Sequence, residues 1–193
     1  RTDKSGGGVF TSGSFLFSVC SCRFHDCTAE TDGGGLCAQT SSSCIARSLF
    51  SSCTNLGMGS GTHQDCHDEN IVRLVSYASC RNTGTGSYSY GAITQRNGVS
   101  TADRMNGSRL YSRNRESTYH HVYGGLSRVT FSMFSSCSGV YTNSFHCERA
   151  PTQVQENVCT TNSTVLKSIS VLFFGNHIAR NFVACEDSPL ITR

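Results

Sequence analysis

The run His63-Gln64-Asp65-Cys66-His67-Asp68-Glu69 carries the densest set of groups able to do chemistry in this chain. His63, Asp65 and His67 are candidate metal ligands, because imidazole and carboxylate suit zinc and related divalent ions. Asp65 and Asp68 are also the carboxylates that an enzyme acting on an acidic polysaccharide would use to hold calcium or to move a proton. The competing reading is a polar turn that enters a strand at Ile71, with Cys66 engaged in a disulfide. That second reading is the expected one, so no catalytic residue, metal or cofactor is assigned. Elsewhere there is no Gly-x-Ser-x-Gly elbow to single out a nucleophilic serine. His120 and His121 beside Tyr119 and Tyr123 read as a loop packed on the fold, with a surface groove as the alternative. Tyr88 and Tyr90 share a strand face and could stack on a sugar, although a chain without tryptophan makes a weak lectin. The glycine clusters lack the following helix that a phosphate cradle needs.

The other reactive groups are twelve cysteines: Cys20, Cys22, Cys27, Cys37, Cys44, Cys53, Cys66, Cys80, Cys137, Cys147, Cys159 and Cys185. Their number is even and no pair of CxxC knuckles suggests zinc, so they are expected in disulfides and the compartment is expected to be oxidising. Asn106-Gly107-Ser108 and Asn162-Ser163-Thr164 are glycosylation sequons that fit a secretory route. Val171-Leu172-Phe173-Phe174 is the longest apolar run, far too short to span a bilayer. The chain starts at Arg1 with no signal-peptide pattern, and is expected to be a mature product or an excised segment. A net charge of +3 does not call for a polyanionic partner, and no nucleic acid is expected. The one basic cluster, Arg104, Arg109, Arg113 and Arg115, reads as a solvated loop, with a nucleic-acid or acidic-glycan contact as the alternative.

What must position these groups is a repeat. Gly6-Gly7-Gly8-Val9 returns 27 residues later as Gly33-Gly34-Gly35-Leu36, then less closely as Tyr90-Gly91-Ala92-Ile93 and Tyr123-Gly124-Gly125-Leu126. A second motif, an aromatic followed by two small or polar residues and cysteine, occurs at Phe24-His25-Asp26-Cys27, Phe50-Ser51-Ser52-Cys53, Tyr77-Ala78-Ser79-Cys80 and Phe134-Ser135-Ser136-Cys137. Its steps are 26, 27 and 57 residues, the last about two repeats long. Short apolar runs precede the aromatics, and Val129-Thr130-Phe131-Ser132-Met133 alternates as a strand with one buried face does. Gly, Ser, Thr and Asn fill the intervals with turn chemistry, and no helix of three turns is apparent.

The packing solution is an all-β, right-handed parallel β-helix (solenoid) of about six to seven coils, disulfide-stapled, forming a single domain over residues 1–193 with loop-like insertions near 94–122 and 138–158. Stacking puts like residues about 4.8 Å apart, giving an internal ladder of Phe24, Phe50, Tyr77 and Phe134 and a second ladder of cysteines. Cys27 with Cys53 could then form a staple, or the cysteines could stack inward as free thiols. An antiparallel immunoglobulin-type sandwich is the rival fold and leaves the repeat unexplained.

The pairing of an aromatic-x-x-Cys motif with Gly-Gly-Gly-Leu or Tyr-Gly-Gly-Leu resembles the repeat of the polymorphic membrane protein family and its protist relatives, best over Phe24 to Cys53 and Tyr123 to Cys137. The resemblance implies a right-handed parallel β-helix at a cell surface or in secreted material, engaged in adhesion or in an extracellular coat. No outer-membrane barrel follows, which favours a eukaryotic surface or secreted relative. The functional expectation is an extracellular structural protein that assembles head to tail with itself. The alternatives are a monomeric adhesin for glycans or host and matrix proteins, and a polysaccharide-active enzyme.

Overall fold

The computed structural model describes residues 5–87, 89–116 and 118–141, and beyond them the strand segments of the last coils. Among the described residues there is no helix, and every strand pairing is parallel. The first coil runs through β1 (Val9–Ser12), β2 (Leu16–Cys20) and β3 (Arg23–His25). The second comprises β4 (Leu36–Gln39), β5 (Ser42–Ala46), β6 (Leu49–Ser51) and β7 (Thr54–Asn55). The third comprises β8 (Thr62–Asp65), β9 (Glu69–Arg73), β10 (Ser76–Ala78) and β11 (Arg81–Asn82). The fourth comprises β12 (Ile93–Arg96), β13 (Val99–Asp103), β14 (Asn106–Ser108) and β15 (Tyr111–Glu116). Another pass follows through β16 (Tyr119–Val122), β17 (Ser127–Thr130), β18 (Met133–Ser135) and β19 (Ser138–Tyr141).

Strand pairing continues through β20 (Phe145–Glu148), β21 (Thr152–Gln155), β22 (Val158–Thr160), β23 (Thr164–Val165), β24 (Val171–Phe174), β25 (His177–Ile178), β26 (Phe182–Val183) and β27 (Ile191–Thr192). Like strands stack into faces: β1-β4-β8-β12-β16-β20, then β2-β5-β9-β13-β17-β21-β24-β27, then β3-β6-β10-β14-β18-β22-β25, then β7-β11-β15-β19. The chain is thus a parallel β-solenoid, with about four turns described in full between Val9 and Tyr119. The rest of the expected six to seven coils falls mostly on residues outside that set.

Each strand buries alternate residues, and register piles them up. On the second face Val19, Ile45, Val72, Ala102 and Val129 form one inward column. On the third face the aromatic ladder is Phe24, Phe50, Tyr77, Gly107 and Phe134. Phe24 and Phe50 stack at 4.6 Å between centroids and 1° between planes, and Phe50 and Tyr77 at 5.2 Å and 12°. The double step from Tyr77 to Phe134 is a coil whose aromatic is replaced by Gly107, with the Leu110 side chain and the Phe134 ring beside it.

Both repeated motifs meet inside the coil. A methyl group at Gly61 would lie 2.6 Å from the Tyr77 ring, and one at Gly8 would lie 2.9 Å from Phe24. Glycine before the first strand therefore makes room for the aromatic on the opposite face.

Corners are turned by single residues in the left-handed region. Ser21, Arg47, Leu74, Arg104 and Phe131 occupy one column, Asp26, Ser52, Ser79, Arg109 and Ser136 the next, at φ between 47° and 55°. Such a conformation costs a non-glycine residue roughly 1–2 kcal/mol. It is held here because corner N–H groups bond to the next coil, as Leu74 N–H does to Asp103 O (2.9 Å) and Ser52 N–H to Ala78 O (2.9 Å).

Four expectations are corrected. Residues 94–122 are not a loop but an ordinary coil, β12 to β16; the insertion lies at 83–91, where the step from Thr62 to Ile93 lengthens to 31 residues. Strands β19 to β22 likewise run through 138–158, and the residues between them lie outside the described set. Tyr123-Gly124-Gly125-Leu126 is not a copy of Gly33-Gly34-Gly35-Leu36: it is the corner between β16 and β17, and Leu126 is exposed. The alternation through Val129-Thr130-Phe131-Ser132-Met133 breaks at the left-handed Phe131, which turns Phe131 and Met133 outward and buries Phe134.

The nine described cysteines stand as free thiols, including Cys27 and Cys53, so the inward thiol stack is observed and not the staple. Stacked residues point the same way at the sheet spacing of about 4.8 Å, wider than the roughly 3.5–4.5 Å between Cβ atoms that a disulfide takes. The inference from cysteine number to an oxidising compartment therefore has no described disulfide behind it. Cys147, Cys159 and Cys185 lie outside the residues whose side chains are described. The repeated cysteine follows each corner, and its thiol donates to a backbone carbonyl, Cys53 to Ser51 O (3.5 Å) and Cys137 to Ser135 O (3.4 Å). Leu110 occupies the place of the cysteine in the fourth coil.

Gly61→Ala is expected to destabilise the chain by about 1–3 kcal/mol through overpacking, and Tyr77→Ala by about 3–5 kcal/mol. In urea unfolding the Gly61→Ala cost should largely vanish in the Tyr77→Ala background, because the methyl enters the vacated space; additive costs would refute the contact. Native-state alkylation should label the exposed Cys20 and Cys22 first, while Cys37, Cys53, Cys66 and Cys80 react only after unfolding without reductant. Failure of those four to react in the unfolded, unreduced chain would mean that they are bonded.

Candidate functional site

The first face has an outward column that is nonetheless buried. Phe10, Cys37, His63, Thr94 and His120 follow one another in register on β1, β4, β8, β12 and β16. Cys37, Thr94 and His120 are fully buried and His63 is 2 % exposed. At Cys37, His63 and His120 a residue of the loop that precedes a first-face strand acts on the member one coil ahead. Ser5, before β1, bonds to the thiol of Cys37 on β4. Asp32, before β4, acts through its charge on His63 of β8 and accepts from Met58 N–H (2.6 Å). Tyr90, before β12, stacks on His120 of β16 at 3.8 Å and 14°. Phe10 is the first member of the column, and no described residue stands one coil before it; it is 49 % exposed.

This burial makes the column chemically quiet. Removal from water pushes the Cys37 thiol up to about 12, with Asp32 adding to the rise, so it carries no nucleophilic thiolate at neutral pH. Burial lowers the His63 imidazole against the opposing pull of Asp32 and Asp65, so it is held neutral, and its Nδ1 has no hydrogen-bond partner.

The expected metal ligands separate accordingly. His63 lies under the loops, while Asp65 accepts from Asn97 Nδ2 (2.6 Å) and sits 3.8 Å from Arg96, and His67 is exposed. Among the described residues no three His, Cys, Asp or Glu side chains could hold a metal ion. Alternation along β8 puts His63 and Asp65 on one side of the strand, but the turn after Asp65 carries His67 away. Asp68, the other candidate carboxylate, is exposed on the same turn. Cys66 points into the corner, 3.1 Å from the Ser43 hydroxyl.

Tyr119 faces inward and closes a buried polar ladder: Gln64 donates to Ser43 (2.7 Å), Gln95 to Gln64 (2.9 Å) and the Tyr119 hydroxyl to Gln95 (2.7 Å). These bonds tie successive coils together. Tyr90, stacked on His120, is buried and so offers no sugar platform, and Tyr88 lies outside the described residues. The arginine cluster disperses round the coil: Arg104 and Arg109 sit at two different corners, Arg113 lies on β15, and the side chain of Arg115 is outside the described set.

Two surface features survive. One is the first coil, where β1, β2 and β3 have no partner among the described residues on the side away from β4, β5 and β6, and where Phe10, Phe15 and Leu16 are exposed. The other is an open groove of about 520 Å³ along the corner between the first two faces, lined by Ser12, Gln39, Ser41, Asp65, His67 and Asn97. The open edge of the first coil was legible, because Gly6 to Val9 begins a coil with no cap residues before it, but its exposed Phe10 and the groove were not. The signal for Phe10 would have been the outward positions of β1, read two residues at a time from Gly8; the groove exists only once four coils are superposed. Among the described residues no helix is long and apolar enough to cross a membrane. No family model, no curated protein and no solved structure matches the chain.

Because His63 is neutral when folded and free to take a proton near the ordinary value of 6.5 when unfolded, stability should be full above about pH 6.5 and fall as the pH drops through and below it. Urea midpoints measured from pH 7.5 to 5.5 should show that decline, and His63→Gln should reduce it. An unchanged slope in the variant would sink the assignment.

Proposed function

We propose that the chain is an extracellular structural protein that assembles head to tail, the first coil of one copy seating on the last coil of another. The supporting observation is Phe10. Its column is buried in every later described coil, and at Cys37, His63 and His120 a group from the loop of the coil before acts on it, so the cover that Phe10 lacks is a coil of this same kind, and a second copy can bring one. The backbone of β1, β2 and β3 supports the same reading, since parallel edge strands carry unpaired N–H and C=O groups at the pitch of any further coil. Coil-on-coil stacking is already the interface inside the chain, and a heterologous contact of this type repeats without closing, giving a filament or coat.

Placement outside the cell is supported by Asn106, whose side chain is exposed on β14 where a glycan would leave the interior undisturbed; Asn162 lies outside the described residues. Kinship with the polymorphic membrane protein-like repeats draws its support from the way the glycine and aromatic motifs oppose each other in the first three coils.

Sedimentation velocity and electron microscopy of the purified chain should show concentration-dependent linear assembly, and Phe10→Asp should abolish it while leaving the urea midpoint within about 0.5 kcal/mol, since the side chain points away from the interior. A chain that stays monomeric at high concentration, or a Phe10→Asp variant that still assembles, would overturn the proposal. So would finding that a coil of the same polypeptide covers Phe10.

A further inference from the structure

We infer that the corner groove between the first two faces binds a neutral, unbranched, β-1,4-linked oligosaccharide of three to four sugar rings, lying parallel to the solenoid axis. The site is on the flank of the stack, so it is independent of assembly at the ends.

The outward residue at the end of each first-face strand forms a row: Ser12, Gln39, Asp65 and Arg96, one per coil. The row therefore repeats every coil, about 4.8 Å, and spans roughly 14 Å over four coils. A chain of equatorially linked pyranoses is an extended ribbon whose rings advance by close to one coil step, so each ring meets one hydrogen-bonding side chain. Ser41, His67 and Asn97 form the opposite wall of the groove.

Hydroxyl groups match this wall better than a peptide would. The backbone of the middle coils is spent on coil-to-coil pairing, so an extended peptide finds no free strand edge along the flank, and only side chains remain to recognise a ligand. The hydroxyl, amide, carboxylate and guanidinium groups of the row together offer donors and acceptors to rings that carry both. Charge points to a neutral sugar: Asp65 and Arg96, the two formal charges in the row, lie 3.8 Å apart and offset each other. Asn97 Nδ2 donates to Asp65 at 2.6 Å and fixes the carboxylate, leaving its second oxygen toward Arg96. At the far end the Arg96 guanidinium lies over the half-exposed Tyr123 ring, 5.6 Å from its centroid, which holds the last member of the row in place.

The test is calorimetric titration of the full chain with cellobiose, cellotetraose, cellohexaose and tetragalacturonate, repeated on Asp65→Ala, Gln39→Ala and Phe10→Asp. Cellotetraose should bind saturably and at least tenfold more tightly than cellobiose, with no further gain for cellohexaose. Asp65→Ala and Gln39→Ala should each weaken it by about tenfold, the effect of one good hydrogen bond. Phe10→Asp should bind like the parent chain, which separates this site from the assembly surface. Absence of binding by cellotetraose, tighter binding of tetragalacturonate, or binding that both groove variants retain in full would overturn the inference. Gln39 is exposed, so its variant reports on the groove even should Asp65→Ala unfold.

Discussion

A glycine facing an aromatic ring across the coil is the contact on which the rest of this structure depends. Gly8 opposite Phe24 and Gly61 opposite Tyr77 leave no room for even a methyl group, so the ring fills the cross-section of the coil from wall to wall. Rings of that size, one in each of the first three coils, stack face to face at 4.6 and 5.2 Å and so favour one register between those coils. Register, once set, lines up all the other columns: the aliphatic one on the second face, the glutamine ladder, the corner residues and the thiols. Where the pattern lapses, at Gly107, the space is taken by Leu110 and by Phe134 from the next coil, and the column closes over the gap.

The corners show how local strain is held by long-range order. Leu74 and Phe131 have side chains that disfavour the left-handed region, yet both sit there beside Arg47, Arg104 and Ser21 in the same column. One such residue bends the chain sharply enough to begin the next face, and hydrogen bonds to the neighbouring coil hold it. The thiols complete these corners. A cysteine after the bend is small enough to turn inward and polar enough to cap a carbonyl, which is a structural use for a residue that in this abundance suggests cross-linking.

Function follows from what repetition leaves incomplete. Loops that roof the outward column act on the next coil, so a stack built this way always has one member short of cover, and in the described residues it is Phe10. Repetition also generates the groove, because one polar side chain at the same corner of each coil becomes a row at the spacing of the coils. Neither feature belongs to a single repeat. The three residues suspected of binding a metal fail for the converse reason: they are neighbours in one repeat, and the turn after Asp65 sends His67 to the surface while the loops shut His63 away from it.

The amino-acid sequence by itself determined that the chain would wind into parallel coils, since residues recurring every 26 or 27 positions must coincide in space when each repeat closes one turn, and Phe24, Phe50, Tyr77 and Phe134 were legible as a ladder for that reason. Tertiary structure alone decided which way side chains face once the chain has passed a corner. A single left-handed residue breaks the alternation of in and out, so Phe131 and Met133, apolar and in phase with Val129, end at the surface. It also decided that Tyr123-Gly124-Gly125-Leu126 is a corner and that 94–122 is a coil, because Gly107 and Leu110 fill places that in other coils belong to an aromatic and a cysteine. Cysteine pairing was beyond sequence for a geometric reason: identical positions on adjacent coils project in parallel, and their separation is the spacing of the sheet, which the number of cysteines does not encode.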